Sequence, residues 1–512
     1  MKRVLLPALC LLLLLMPSAM GEEPAPEPLF PAYDKAAGKW GYIDTDRQWA
    51  IAPQFETAGV FRGEYAAAST GDPWEYTAGI IGTDGSWVVE PKYFVDDGYD
   101  GWTYGGLSEG LYILWDDVDD NDPERPHIGF FDVPSGYFSG LSYWGEFRWT
   151  TQERLVPIED TFVDRTTGQT VITLPEGYIT DWMGWSSVFH DGFAPILVDD
   201  PEEDRNEVCF VDLQGNVIEL PALRFGKDDW ACGLLCASER ISDPGTAPVT
   251  GYFDLNTLAW KITSDDAGLP FMEAYPFSGS GFACVRLSGG SYGHIDTQGK
   301  VLFGDGYVTW ETGSGIGKTL ITGPYRFFGN YAWIEEANVL IDPAGQVVLV
   351  IPEGWMPCVQ WDDELDHTRD YYVSPGGVIE LQRRSASGGY DSALMKMDGE
   401  WLLDPEEYGR QYDISLPEAH RFFSEGLQPV IRNVGIREWR TVHGRTGDYQ
   451  VPVYETRTGY VNERGDVAVD FLYASGGVFL NGLAMVQRDG MTGYVNIRGE
   501  EVYFWSSEDD EW

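Results

Sequence analysis

Residues 459–489 read GYVNERGDVAVDFLYASGGVFLNGLAMVQRD, and this stretch carries the grammar of the whole chain. The run through Tyr460 and Asn462 alternates as a short strand does. At Asn462-Glu463-Arg464-Gly465 the strand turns back. The Asn side chain accepts bonds from amides two residues on, and the Gly supplies the positive φ that such hairpin loops require. Val467 to Phe471 form the return strand. After a longer connection, Gly482-Leu483-Ala484-Met485-Val486 form a third strand, and Gln487 to Thr492 turn into the next copy.

The opening phrase recurs along the chain as Gly41-Tyr42-Ile43-Asp44, Gly129-Phe130-Phe131-Asp132, Gly251-Tyr252-Phe253-Asp254, Gly293-His294-Ile295-Asp296 and Gly493-Tyr494-Val495-Asn496. A phrase that returns at intervals of several tens of residues marks one small supersecondary unit stacked many times. The turn recurs with it, as Asp212-Leu-Gln-Gly215, Asp296-Thr-Gln-Gly299, Asp342-Pro-Ala-Gly345 and Asn496-Ile-Arg-Gly499. The spacing predicts positive φ at each of these four glycines, where Ala costs about 1 kcal/mol or more. Gly110, Gly192, Gly233, Gly281, Gly426 and Gly482 each open a third strand. Pro53, Pro91, Pro175, Pro221, Pro352 and Pro405 fall just after return strands, where a missing N–H ends pairing. Units therefore start near residues 40, 78, 128, 161, 207, 250, 291, 338, 393 and 458, with a final half-unit near 492. The expected fold is all-β: hairpin or three-stranded units in an elongated solenoid-like array. A β-propeller-like closure is the alternative, because the unit length also suits four-stranded blades.

Composition agrees with short strands and tight turns. Of 512 residues, 14% are aromatic and 61 are Gly, while 43% hydrophobic and 23% charged is a globular balance. Against 82 acidic residues stand only 34 Lys and Arg, for a net charge of −48. Such a field repels nucleic acid and anionic membrane surfaces. Lys2 and Arg3, the apolar run from Val4 to Met16 and the small residues around Ala19-Met20-Gly21 read as a signal peptide over residues 1–21. The apolar run falls short of the ~20 residues that span a bilayer. The expected product is secreted or held in the cell envelope, without membrane insertion after signal removal. Residues 22–38 read as an acidic, Pro-rich linker, 39–505 as the array and 506–512 as an acidic tail.

Five cysteines follow the signal: Cys209, Cys232, Cys236, Cys284 and Cys358. This is too sparse for a disulfide scaffold, so the core must hold by burial. Cys232 and Cys236 lie about 13 Å apart in an extended run, at ~3.3 Å per residue, beyond the ~7 Å a disulfide tolerates. Cys236 and Cys284 occupy the same step of the third strand in successive units and are expected to be buried.

These phrases resemble the bacterial WG-repeat family. The first unit carries the resemblance best, in Gly38-Lys39-Trp40-Gly41-Tyr42-Ile43-Asp44, then Ile51-Ala52-Pro53-Gln54-Phe55, then Phe61. The name-giving Trp survives at Trp40, with Ala78, Ile128, Thr250, Tyr292, Thr458 and Thr492 in its place elsewhere. The resemblance implies a tandem β-hairpin array used as an interaction scaffold. It brings no catalytic residues.

Four patterns hint at chemistry. Thr312-Gly-Ser-Gly-Ile-Gly317-Lys318-Thr319 nearly spells a phosphate-binding loop, but lacks the first Gly and a following helix; a flexible Gly-rich loop is expected there. Gly289-Gly-Ser291-Tyr-Gly293 fits a nucleophile elbow, but Gly293 already belongs to the repeat. Asp117, Asp119 and Asn121 have the alternate spacing of a calcium loop, although Asp122 stands where Gly is needed and Ile128 where Glu is needed. Close carboxylate pairs of the glycosidase kind arise by chance among so many acids. The six histidines form no zinc-type pair. No catalytic, cofactor-binding or metal residue is assigned. The expected function is a non-enzymatic binding or scaffolding surface for protein partners. Glycan binding through exposed aromatics is the first alternative, and a glycosidase-like enzyme the second.

Overall fold

The repeated phrase forms a central strand of an antiparallel sheet, the third of four in the most complete units. The computed structural model describes residues 28–506, leaving out 72–76, 97–109, 116–126, 141–142, 145–153, 159, 181–186, 188, 199–207, 226–228, 242–247, 264–270, 305, 313–314, 359, 362–368, 371–372, 385–389, 411–422 and 445–446. In the last unit the strands are Ser475–Gly476, Leu483–Arg488, Met491–Asn496 and Glu501–Ser506, paired in chain order. The same order recurs in Phe271–Phe277, Phe282–Leu287, Tyr292–Asp296 and Val301–Phe303. Among the described residues eleven such central strands follow one another, from Lys39–Ile43 to Met491–Asn496. The second and third units join edge to edge through Phe94–Asp96 and Leu111–Trp115 into one eight-stranded sheet. Among the described residues there is no α-helix, and no helix is long and apolar enough to cross a membrane.

The all-β tandem array is as the sequence predicts, with a different frame. The most complete sheets begin with a short strand two elements before the repeated phrase, so the stretch 459–489 straddles two sheets. The half-unit near 492 is consequently a whole unit. First strands such as Tyr178–Ile179, Phe327–Phe328 and Ser475–Gly476 pair over two residues, too short to leave any alternation in the sequence. Phe30–Asp34, placed by composition in the linker, is instead a strand paired with Lys39–Ile43 and buried at its start.

The turns form as their spacing requires. Gly215, Gly299, Gly345 and Gly499 have φ of 82°, 77°, 76° and 77°. The carboxylate of Asp212 accepts the amides of Gln214 and Asn216, each at 2.9 Å. Asp296, Asp342 and Asn496 do the same for the amides two and four residues on.

The repeat glycine has another cause. Its φ is ordinary, but the return strand bulges against it, with the register shifting beside Gly41, Gly79, Gly459 and within Tyr494/Val495. A Cβ at Gly41 would lie 2.6 Å from the Ile51 carbonyl oxygen. At Gly79, Gly251, Gly293 and Gly493 the same collision occurs at 2.3, 2.1, 2.4 and 2.3 Å. Only glycine lets the return strand's carbonyl approach so closely.

Where a tyrosine follows the glycine, it ties its unit to the next. Tyr42, Tyr252 and Tyr460 have no exposed surface, and each needs an acceptor for its hydroxyl. Tyr42 donates to the Gly59 carbonyl at 2.9 Å, Tyr252 to Tyr275 at 2.8 Å and Tyr460 to Gly477 at 2.8 Å, all in or beside the next unit's first strand. Apolar side chains from both units surround these bonds. One core joins Leu234, Tyr252, Phe277 and Ile295, the next joins Phe303, Phe327 and Ile341, and another joins Tyr460, Phe479 and Val495.

The last unit repeats this contact with the first. Tyr494 donates to the Pro31 carbonyl at 2.9 Å across 463 residues of sequence, and Tyr503 donates to the Tyr33 carbonyl at 3.2 Å. Phe30, Trp40, Ile43 and Ile51 share one core with Leu483, Tyr494, Val502 and Trp505. Trp40 and Trp505 meet edge to face at 5.5 Å. The ends of the array therefore meet, as in the propeller-like alternative, rather than lying apart as in an elongated solenoid. Among the described residues no strand is exchanged between the first and last sheets; side-chain packing and tyrosine bonds to the Pro31 and Tyr33 carbonyls join them.

Candidate interaction surface

The patterns that hinted at chemistry are absorbed by the architecture. Gly315–Leu320 is a strand paired with Tyr307–Thr312, Thr309 facing Lys318 and Trp310 facing Gly317. This hairpin replaces the expected flexible loop. Its amides are engaged in a ladder, and the Lys318 ammonium sits 4.2 Å from the Tyr307 ring centre, where the ring face attracts it. Gly317 is flat against Trp310, whose indole lies 2.3 Å from where a Cβ would be. Ser291 closes a turn, its carbonyl accepting the Leu287 amide at 2.8 Å, and a strand follows rather than a helix. Asp117, Asp119 and Asn121 lie outside the described residues. Among the described residues no three His, Cys, Asp or Glu side chains are grouped to hold a metal ion.

Buried polar groups serve the junctions instead. Asp132 ends the third unit's central strand, and its carboxylate meets the Arg165 guanidinium of the fourth unit at 2.5 Å, with both side chains buried. Cys236 lies opposite Tyr252, and Cys284 opposite His294. Both thiols are buried, and burial pushes the Cys284 thiol up to about 12. None of these five cysteines is in a disulfide, so Cys232 and Cys236 are unbridged. A partly open pocket of about 190 Å³ lies between Val198, Cys209, Glu219, Phe225 and Arg240, and its Glu219 accepts from the Tyr178 hydroxyl.

His294 stands where other units carry Tyr or Phe, fully buried. Nδ1 lies 2.9 Å from the Tyr325 hydroxyl and Nε2 lies 2.7 Å from the Pro343 carbonyl. A carbonyl only accepts, so Nε2 carries the proton and Nδ1 accepts from Tyr325; the neutral ring is fully satisfied. Burial lowers its pKa below the ordinary 6.5, against the opposing pull of the Pro343 carbonyl and Asp342. The unfolded chain thus takes up this proton first as the pH falls. The stability that His294 contributes is complete above 6.5 and is lost as the pH drops from there through the lowered folded value. Urea unfolding between pH 8 and pH 5 should show this slope in the native chain and not in His294→Phe. Phe130, Phe162 and Phe210 already hold the equivalent place elsewhere. Equal slopes in the two proteins would contradict the assignment.

Three exposed apolar side chains stand close together on an element absent from the sequence reading. Leu427–Gly444 and Gly447–Asn462 form one continuous hairpin. Its base belongs to the tenth unit, where Tyr408–Arg410 pairs up to Arg432 and Val467–Tyr473 pairs with Thr458 to Val461. From Asn433 and Thr456 outward the two strands pair only with each other, a ribbon about 35 Å long at ~3.3 Å per residue. Val434, Ile436 and Trp439 are 49%, 48% and 60% exposed. The Arg437 and Arg440 guanidiniums share a single partner, Glu438, at 3.9 and 3.7 Å. From Asn433 to Thr456 the sequence holds three Arg against Glu438, Asp448 and Glu455, a balanced stretch in a strongly acidic chain. Register shifts after Asn433 and Ile436 disturb the alternation. The signal still present in sequence was the Gly444-Arg-Thr-Gly447 turn between two β-rich runs.

Sheets and junctions together define a tandem β-repeat protein whose ends meet. Two segments of the chain, residues 40–74 and 459–491, match the family model described as WG containing repeat. Each matched segment runs from the central strand of one unit to the second strand of the next, so the family's repeat frames a junction. No curated protein matches the chain. Among solved structures it is similar to dipeptidyl peptidase 4 of Porphyromonas gingivalis, at 8% identity and a TM-score of 0.29. That match covers 94% of this chain and 60% of the peptidase. It is also similar to the V. cholerae biofilm matrix protein Bap1, at 8% identity and a TM-score of 0.18, covering 79% of this chain and 73% of that one.

Proposed function

We propose that this protein is a non-enzymatic scaffold that binds protein partners outside the cytoplasm. The observation that carries the reading is the ribbon, which displays Val434, Ile436 and Trp439 to solvent beside two exposed Arg. Apolar and aromatic side chains with Arg are the composition of protein-binding surfaces. The buried polar groups, by contrast, are spent on unit junctions. Export is supported by the basic start at Lys2-Arg3 and the apolar run after it. Glycan binding would need aromatic faces turned to solvent. The repeat aromatics Trp40, Trp230, Trp355 and Trp505 are buried, and the exposed Trp439 stands with Val434, Ile436, Arg437 and Arg440, a protein-binding composition that favours protein over sugar. The deciding experiment pairs a glycan array with capture of envelope proteins from the producing cell, using the native chain and Trp439→Ala. Capture that Trp439→Ala abolishes is expected. A selective glycan signal without protein capture would overturn the reading.

A further inference from the structure

The sheet of the first unit is one strand short. Among the described residues Phe30–Asp34 pairs only with Lys39–Ile43, so its other edge carries no strand. In the second and last units the corresponding edge is covered by Thr57–Ala58 and Ser475–Gly476. Both covering strands continue the return strand of the unit before. Phe55 and Tyr473 each pair with the residue before a repeat glycine, Trp40 and Thr458, and the covering strand starts two residues on. Trp505 makes the same pair with Thr492. Because the ends of the array meet, the unit before the first is the last. We propose that residues 507–509, which follow the last return strand and lie outside the described residues, add to the free edge of Phe30–Asp34 as the missing strand.

The edge offers what such a strand uses. The Glu56 and Gly59 amides donate to the Ser69 and Ala67 carbonyls at 3.0 and 2.9 Å, and the Ala474 and Gly477 amides to Gln487 and Met485 at 2.7 and 2.9 Å. By register Tyr33 stands where Ser69 and Gln487 stand, and Pro31 where Ala67 and Met485 stand. These bonds ask only for carbonyls, so the missing N–H of Pro31 is no obstacle. Pro429 holds the same place in the tenth unit, opposite Tyr460, and the edge there is covered by Tyr408–Arg410. The Tyr494 and Tyr503 hydroxyls bond the Pro31 and Tyr33 carbonyls, and a carbonyl oxygen has a second lone pair for an amide. Tethering selects the occupant. The segment holds Glu508 and Asp509 in a chain of net charge −48, so a free acidic peptide, or the same segment of a second copy, is held off by repulsion. As the continuation of Glu501–Ser506 it reaches the edge without an association step.

Hydrogen exchange of the chain without residues 1–21 tests this, beside two shortened chains that end at Ser506 and at Asp510. In the native chain the Asp509 amide should exchange slowly. Ending the chain at Ser506 removes two hydrogen bonds from the edge and should speed exchange at Phe30–Asp34 about tenfold. Tyr292–Asp296 should stay protected in that variant, which shows that the array still folds. Ending the chain at Asp510 should change neither segment. An Asp509 amide that exchanges at the unprotected rate, or exchange at Phe30–Asp34 unaltered by ending at Ser506, would overturn the proposal. Protection of Asp509 that grows with protein concentration would also overturn it, because the strand would then lie on another copy.

Discussion

Gly251→Ala is expected to lower stability by about 3 kcal/mol, read from the urea midpoint. The new Cβ would stand 2.1 Å from the Ile262 carbonyl oxygen and 3.0 Å from the Thr263 Cα. Both obstacles are backbone, so no side-chain rotation relieves the clash. Both are also pinned, since Gly251 pairs with Thr263 and Tyr252 with Ile262 across the bulge. Relief therefore requires moving the return strand, which withdraws Ile262 from the core it shares with Leu234, Tyr252 and Phe277. Backbone conformation contributes nothing here, because Gly251 does not have positive φ. Gly289→Ala is the matched control. Its φ is also ordinary and no atom lies within 4 Å of the added carbon, so a change within about 0.5 kcal/mol is expected. Similar losses in the two variants would refute the steric account of the repeat glycine.

That glycine shows what a sequence reveals and what it withholds. Its recurrence at Gly41, Gly251, Gly293 and Gly493 marks the repeat, but the carbonyl that excludes every other residue belongs to a strand some ten positions on. The Asp-to-Gly turns are legible in full because every bond that makes them falls within five residues, as at Asp212 and Asn216. Edge strands of two paired residues, such as Phe327–Phe328, are too short to impose a period. The ribbon escaped for the opposite reason. It is long, but the register shifts at Asn433 and Ile436 disturb its alternation, and neither of its faces has a core to pattern it. Closure was legible in principle. Tyr494 repeats the buried tyrosine of Tyr42, Tyr252 and Tyr460, whose hydroxyl always finds an acceptor in the following unit. After the last unit, the first is the one that remains.

Trp505→Ala is expected to open the array at that one place. Trp505 is 4% exposed, packs edge to face on Trp40 at 5.5 Å and lies 5.8 Å from the Tyr494 ring. Truncating a buried Trp costs about 3–5 kcal/mol, here from a junction with no strand pairing among the described residues. In an array whose units contact only their neighbours, an end unit has half the support of a central one. Closure removes that difference, so native hydrogen exchange should protect the first and last units as well as the central ones. In Trp505→Ala, protection should fall together at Phe30–Asp34 and Met491–Asn496, segments far apart in sequence but joined by the Tyr494–Pro31 bond. Tyr292–Asp296 and Val339–Ile341, supported on both sides by cores of their own, should keep theirs. Tyr494→Phe removes only the hydroxyl and should give the same pattern at about 1 kcal/mol. Loss at Met491–Asn496 with Phe30–Asp34 untouched would mean that the ends do not support each other, and the array would then be open.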